Sequence, residues 1–203
     1  MGPDRQTGES MSHGAGHGLV EGENKKIAIL ISVLALFLAI AETLGKSAQT
    51  DALKYNVEAS NLWSFFQAKT IRKTTMETAA EQMEVDIQLA RDPSVRDLLE
   101  KRANSWKTRA ARYESEPETQ EGRKELMARA KALGEKSEYA LAKYHNFEFG
   151  SAAFQIAIVL ASSYLITGVV YLLWGAGGLG AIGILFTLIG AFAPNALHLF
   201  GAH

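Results

Sequence analysis

Lys46–Asp92 reads KSAQTDALKYNVEASNLWSFFQAKTIRKTTMETAAEQMEVDIQLARD, a run without a single glycine or proline. It starts where an apolar run stops at Gly45 and ends at the Asp92-Pro93 break. Nothing in it interrupts a helix, so it is expected to form one helix of about 70 Å at roughly 1.5 Å per residue. Within it Met76, Ala80, Met83, Ile87 and Ala90 alternate by four and three, the spacing of a coiled-coil seam.

Downstream of this run the same spacing recurs twice. Asp92-Pro93-Ser94 stops one helix and starts another, because proline suits the first helical turn and no later one. The next segment carries Leu99, Ala103, Trp106, Ala110 and Tyr113 at the same intervals. Glu116-Pro117 is a second break, after which Leu126, Ala130, Leu133, Ser137, Ala140, Tyr144 and Phe147 repeat the pattern. Residues 94–149 total about 80 Å as helix, enough to return along the outgoing run if the path kinks at Pro117. The insert 46–149 is therefore expected to be an antiparallel, coiled-coil-like hairpin.

Upstream and far downstream the composition changes abruptly. Charge is nearly balanced overall, with 21 Lys and Arg against 22 Asp and Glu. Yet residues 150–203 contain no Asp, Glu, Lys or Arg, while residues 46–149 hold 18 of the basic and 17 of the acidic side chains. The chain is two materials, and the uncharged one is suited to lipid. Residues 25–45 form the first expected span, with Lys25-Lys26 ahead of IAILISVLALFLAIAETL. A cleaved signal peptide begins in the same way, but no small-x-small site follows and the apolar run passes straight into the long helix. Residues 150–203 are expected to hold two more spans, 151–174 and 178–200, joined by a turn at Gly175-Ala176-Gly177-Gly178. On the last of these Gly183, Thr187, Gly190 and Pro194 share a face. Small residues allow helix backbones to approach closely in lipid, which favours packing against the neighbouring span over lining a pore. Tyr171 and Trp174 suit one membrane interface, and Tyr144, His145 and Phe147 the other.

Residues 1–24 carry glycine, histidine and serine but few aliphatics, and are expected to be disordered. Met11 is an alternative start to Met1. His13 and His17 have the spacing of a metal pair on a helix, but Gly14, Gly16 and Gly18 around them argue against that helix. The other histidines, His145, His198 and His203, are scattered. His198 with Asn195 and Pro194 is the most polar cluster of the last span. With no cysteine, thiolate chemistry and Cys-ligated metals are excluded. No phosphate-cradling glycine loop, zinc-protease motif or nucleophile elbow is present. No enzyme activity, cofactor or metal is expected, and the balanced charge gives no reason to expect nucleic acid.

Glu58–Arg72 reads EASNLWSFFQAKTIR. It resembles the motif of a bacterial membrane family known as domain of unknown function 4337, in which Asn or Asp, Trp, two aromatics, Gln, Ala and Lys recur along a helix. The matching positions here are Asn61, Trp63, Phe65, Phe66, Gln67, Ala68 and Lys69. The resemblance implies an N-terminal span, a charged helical insert and two closing spans, and it transfers no catalytic residue. The spacing puts Trp63, Phe66 and Gln67 on adjacent turns as an aromatic stripe. That stripe is expected to pack on the returning helix near Tyr139–Phe147 or on a neighbouring subunit, rather than to line a small-molecule or headgroup pocket. Lys69, Arg72 and Lys73 form a basic patch, with Glu77 and Glu81 one and two turns on as pairing partners within the helix.

Taken together, these features imply a multi-pass protein of a bacterial inner membrane, with the lipid bilayer as its first partner. The leading reading is a self-associating scaffold or an accessory subunit of a membrane complex, working as a homo-oligomer or with other subunits. The alternative is a small oligomeric channel or transporter, for which Ser151, Gln155, Ser162 and Thr167 supply a weak polar stripe. Lys25-Lys26 beside the first span favours a cytoplasmic N-terminus and a periplasmic insert.

Overall fold

The computed structural model describes residues 14–196, with side chains from residue 24. The expectations for residues 1–13, for the His13–His17 pair, and for His198 and His203 lie outside the described residues, while residues 14–24, expected to be disordered, form the start of the first helix despite Gly14, Gly16 and Gly18. Four α-helices follow in order: α1 (Gly14–Leu89), α2 (Pro93–Glu114), α3 (Arg123–Thr167) and α4 (Val170–Phe192), then a 3-10 turn at Pro194–Ala196. The described residues contain no strand. The chain divides into two compact units, one of residues 1–48 with 142–203 and one of residues 49–141.

In the second unit, α1 runs one way and the chain returns along it. Lys73 of α1 pairs with Glu114 near the end of α2 at 3.0 Å, and Glu84 pairs with Lys107. Thr70 then meets Arg123 at the start of α3, and the Ala52 carbonyl accepts from the Ser137 hydroxyl at 2.9 Å. Falling numbers on α1 against rising numbers on α2 and then α3 define one antiparallel register. The residues picked out by four-three spacing are the less exposed ones. Ala80, Ala103, Ala110, Leu126, Ala130 and Ala140 are buried, and Met76, Met83, Ile87, Leu99, Trp106, Tyr113, Leu133 and Ser137 are half-buried.

Both helix breaks in this unit have a chemical cause. Asp92 caps α2, its carboxylate accepting from the Ser94 N–H and hydroxyl at 2.8 Å each, with Pro93 in the first turn. The corner 115–122 is closed from α3. Glu125 accepts from the Ser115 hydroxyl at 2.6 Å and from the Glu116 N–H at 3.3 Å. Gly122 is required there, since a Cβ would collide with the Glu125 carboxylate and the backbone of Ser115 and Glu116.

The first unit assembles parts of α1, α3 and α4 around Phe154, which is fully buried against Leu34, Ala41 and Ala157 and stacks on Phe37 at 6.0 Å. Here the structure corrects one sequence expectation. Helix α3 ends at Thr167, and the connection is Gly168-Val169, with Gly168 at φ 69°. Gly175–Gly178 lies inside α4 and is not the turn. Its neighbourhood extends the small face of that helix, because Ala176, Gly180, Gly183 and Gly190 are all buried. Glycine is tolerated in such a helix where its missing side chain lets a neighbour in.

The outward surface of this unit is apolar. Ile166 is 87% exposed, Tyr171 86%, Phe192 83% and Trp174 77%. Three helices are long and apolar enough to cross a membrane: α1, α3 and α4.

Candidate functional site

The family-like motif is built on α1 opposite the corner between α2 and α3. Lys69 is nearly buried, with its ammonium 5.5 Å from the centre of the Tyr113 ring and 3.6 Å from Glu121. Phe66 is half-buried and meets Trp63 edge-on at 5.4 Å. The Arg123 guanidinium covers the Phe66 ring at 4.9 Å, while its Nε donates to the Thr70 hydroxyl at 2.8 Å and its Nη1 to Glu114 at 2.6 Å. Lys73 reaches the same Glu114 oxygen. The result is a clamp of alternating charges and rings that fixes the corner to the long helix.

The electrostatics follow from those contacts. The hydrogen bond from Lys73, then that from Arg123, holds the Glu114 carboxyl below the ordinary glutamate range against the desolvation that opposes it. Reciprocally, Glu114 raises the Lys73 ammonium. Ser115 does to Glu125 what Lys73 does to Glu114.

Other motif residues face outward. Asn61, Phe65, Gln67 and Ala68 are exposed, Phe65 at 59%. The partner of the aromatic stripe is Arg123, at the start of α3, and not Tyr139–Phe147. The antiparallel register decides this, because Ser137 already lies opposite Ala52, fourteen residues down the helix from Phe66. Lys73 does pair with Glu77 at 3.5 Å, but its closer partner, Glu114, is on another helix. Spacing along one helix showed only the first of these. Arg123 and Glu114 were missed altogether. The available signal was the acidic and basic residues flanking the Pro117 break, which must meet α1 if the chain folds back there.

In the first unit, the small face of α4 meets α3 directly. A Cβ on Gly183 would fall 2.7 Å from the Phe154 ring, and one on Gly190 3.0 Å from Phe147. Thr187 lies across from Gly150, and the Pro194 carbonyl accepts from the buried Asn146 amide at 3.0 Å. A cleft of about 250 Å³ opens nearby, lined by Glu42, Lys46, Tyr144, Glu148 and Ser151 among others. Gln155 donates to Glu42 at 3.2 Å at its edge. Among the described residues no three His, Asp or Glu side chains are grouped to hold a metal ion.

These features define a class: a chain that is all-helical among the described residues, with three helices long and apolar enough to cross a membrane. The chain belongs to the family described as domain of unknown function (DUF4337), whose model matches residues 23–193. No curated protein and no solved structure matches it.

Proposed function

We propose that the protein is a membrane-anchored scaffold, with the unit of residues 49–141 as the part that self-associates or docks a further subunit of a membrane complex. One contrast carries this reading. The first unit turns large apolar side chains outward, as a lipid-facing surface does, while the second unit buries narrow seams of mostly small residues and leaves its other faces open. An antiparallel coiled coil of this kind has little interior in which to build a catalytic pocket, and much surface to offer a partner. The bilayer is a bacterial inner membrane, with the N-terminus cytoplasmic and the hairpin periplasmic. Crosslinking in native membranes tests the scaffold, and a purely monomeric product with no co-purifying protein sinks it. A single cysteine at the exposed corner, Glu118→Cys, labelled with an impermeant thiol reagent in intact cells, tests the orientation.

A small oligomeric channel or transporter is the second reading, favoured by the Glu42–Gln155 pair, which sets a carboxylate against an amide between two apolar segments. It requires ion or solute flux in reconstituted liposomes that falls with Gln155→Leu. Liposomes that leak nothing end it.

A further inference from the structure

The cleft of about 250 Å³ in the first unit plays no part in the scaffold reading. Glu42 and Lys46 line it from α1, one turn apart, and Tyr144, Glu148 and Ser151 line it from α3. Glu148 accepts from the Tyr144 hydroxyl at 3.2 Å, and the His145 Nδ1 lies 3.6 Å from its other oxygen. Glu42 accepts from the Gln155 amide. An ionised carboxylate offers about four acceptor positions, so these contacts leave capacity on both. The cleft thus sets two carboxylates against one lysine, in a space smaller than the roughly 300–1,000 Å³ that encloses a drug-sized ligand.

The α3 face that lines the cleft changes character along its length. Tyr144, Glu148, Ser151 and Gln155 are followed at the same helical spacing by Val159, Ser162 and Ile166. Val159 is 62% exposed and Ile166 87%, and the Ser162 hydroxyl is satisfied by the Ile158 carbonyl. From Gln155 to Ile166 is about 16 Å of helix, close to one leaflet of a hydrocarbon core roughly 30 Å thick. One helix face therefore offers a charged recess and then an apolar track, complements to the two halves of an amphiphile.

We propose that the cleft seats the headgroup of a phospholipid carrying a primary amine, with an acyl chain laid along Val159 and Ile166. This rests on the membrane-anchored reading and holds whether or not the hairpin self-associates. The ammonium lies between Glu42 and Glu148. A primary ammonium brings three donors to carboxylate and hydroxyl oxygens, in charge-assisted hydrogen bonds. A trimethylammonium brings none and needs open aromatic faces, whereas Phe147 is buried and Tyr144 is the other ring of the lining. Lys46 stands about 6 Å along the helix from Glu42, where it meets the phosphodiester two carbons from the ammonium. An anionic headgroup without an amine meets two like charges.

The test uses the full chain purified in a mild nonionic detergent, with phosphatidylethanolamine, phosphatidylcholine and phosphatidylglycerol of the same acyl chains added in equal amounts. Lipid retained on the protein is read by native mass spectrometry. Phosphatidylethanolamine is expected to be retained at least about tenfold more than either of the others. Glu42→Gln and Glu148→Gln, both at exposed positions, should each bring the ethanolamine-to-choline ratio toward one, while Glu138→Gln leaves it unchanged. Val159→Ser should weaken retention of every lipid without altering that ratio. Equal retention of the three lipids by the unaltered protein overturns the proposal, whatever the variants do. Selectivity that survives both glutamine variants places the site elsewhere and also overturns it. If soluble glycerophosphoethanolamine displaces the lipid at equal concentration, the acyl chain contributes nothing and the lipid assignment fails. A protein that stays in washed membranes but shows no selectivity loses the headgroup site and keeps the anchor. One that is soluble without detergent loses both.

Discussion

Arg123 and Phe66 are brought face to ring at 4.9 Å although the whole outer part of the hairpin lies between them in the chain. The same guanidinium satisfies Thr70 and Glu114, so one side chain joins α1, the end of α2 and the start of α3. Lysine in its place has a compact ammonium and no planar fork, and it retains at most one of these contacts. Arg123→Lys is expected to cost the second unit about 1–3 kcal/mol through the lost stacking and hydrogen bonds. Thermal unfolding of the helical signal in detergent measures it, with Arg109→Lys, at an exposed position of α2, as the neutral control.

Acid should loosen the same corner and the cap at the start of α2. Glu114, Glu116, Glu125 and Asp92 all titrate below their ordinary values in the folded chain, through hydrogen bonds from Lys73, Arg112, Ser115 and Ser94 respectively. A carboxyl depressed by folding contributes stability that is complete above its unfolded pKa and is lost as pH falls through its folded one. The melting temperature is therefore expected to be flat from neutral pH down to the ordinary carboxylate range and to drop below it. Glu114→Gln should lower the neutral plateau and flatten the drop.

Asp92→Ala removes the acceptor for both the Ser94 N–H and the Ser94 hydroxyl. The first turn of α2 is expected to fray without loss of the remaining fold. Faster amide exchange confined to Ser94 and its neighbours is the expected result. Unchanged exchange there would show that Pro93 alone starts the helix.

Glycines on α4 and at its approach should respond in opposite directions. Gly168 has open space but φ 69°, so Gly168→Ala is expected to cost about 1 kcal/mol. Gly177 is inside α4 with nothing near its missing Cβ, and Gly177→Ala should gain up to about 1 kcal/mol. Gly183→Val must displace Phe154 and should be the most damaging of the three. Melting of the purified protein in detergent ranks them. If Gly177→Ala is as costly as Gly168→Ala, the turn is misplaced.

The sequence made some of these elements readable and hid others. Pro93 and Pro117 announce their breaks because proline cannot sit inside a helix, and the four-three alternation marks the buried seams. The Gly168 turn was hidden by its surroundings, since an uncharged apolar run gives no change of hydropathy to mark a reversal. The run at 175–178 looked like a turn because glycine means flexibility in water. In lipid it also means close packing. Continuing the spacing of Gly183, Thr187 and Gly190 upstream through Gly180 to Ala176 would have assigned those residues to the helix. The clamp at Phe66 and Lys69 was half visible. The motif residues stood out as a group, but their partners come from beyond a proline corner, and only the register set by folding back identifies them.

A link of two residues between α3 and α4 has a consequence for how the chain is made. If the two helices cross a bilayer as proposed, so short a connection leaves no slack for one to settle there while its neighbour waits outside. During synthesis the pair is expected to leave the translocation machinery together, as a preformed helical hairpin already knitted along the Phe154–Gly183 contact.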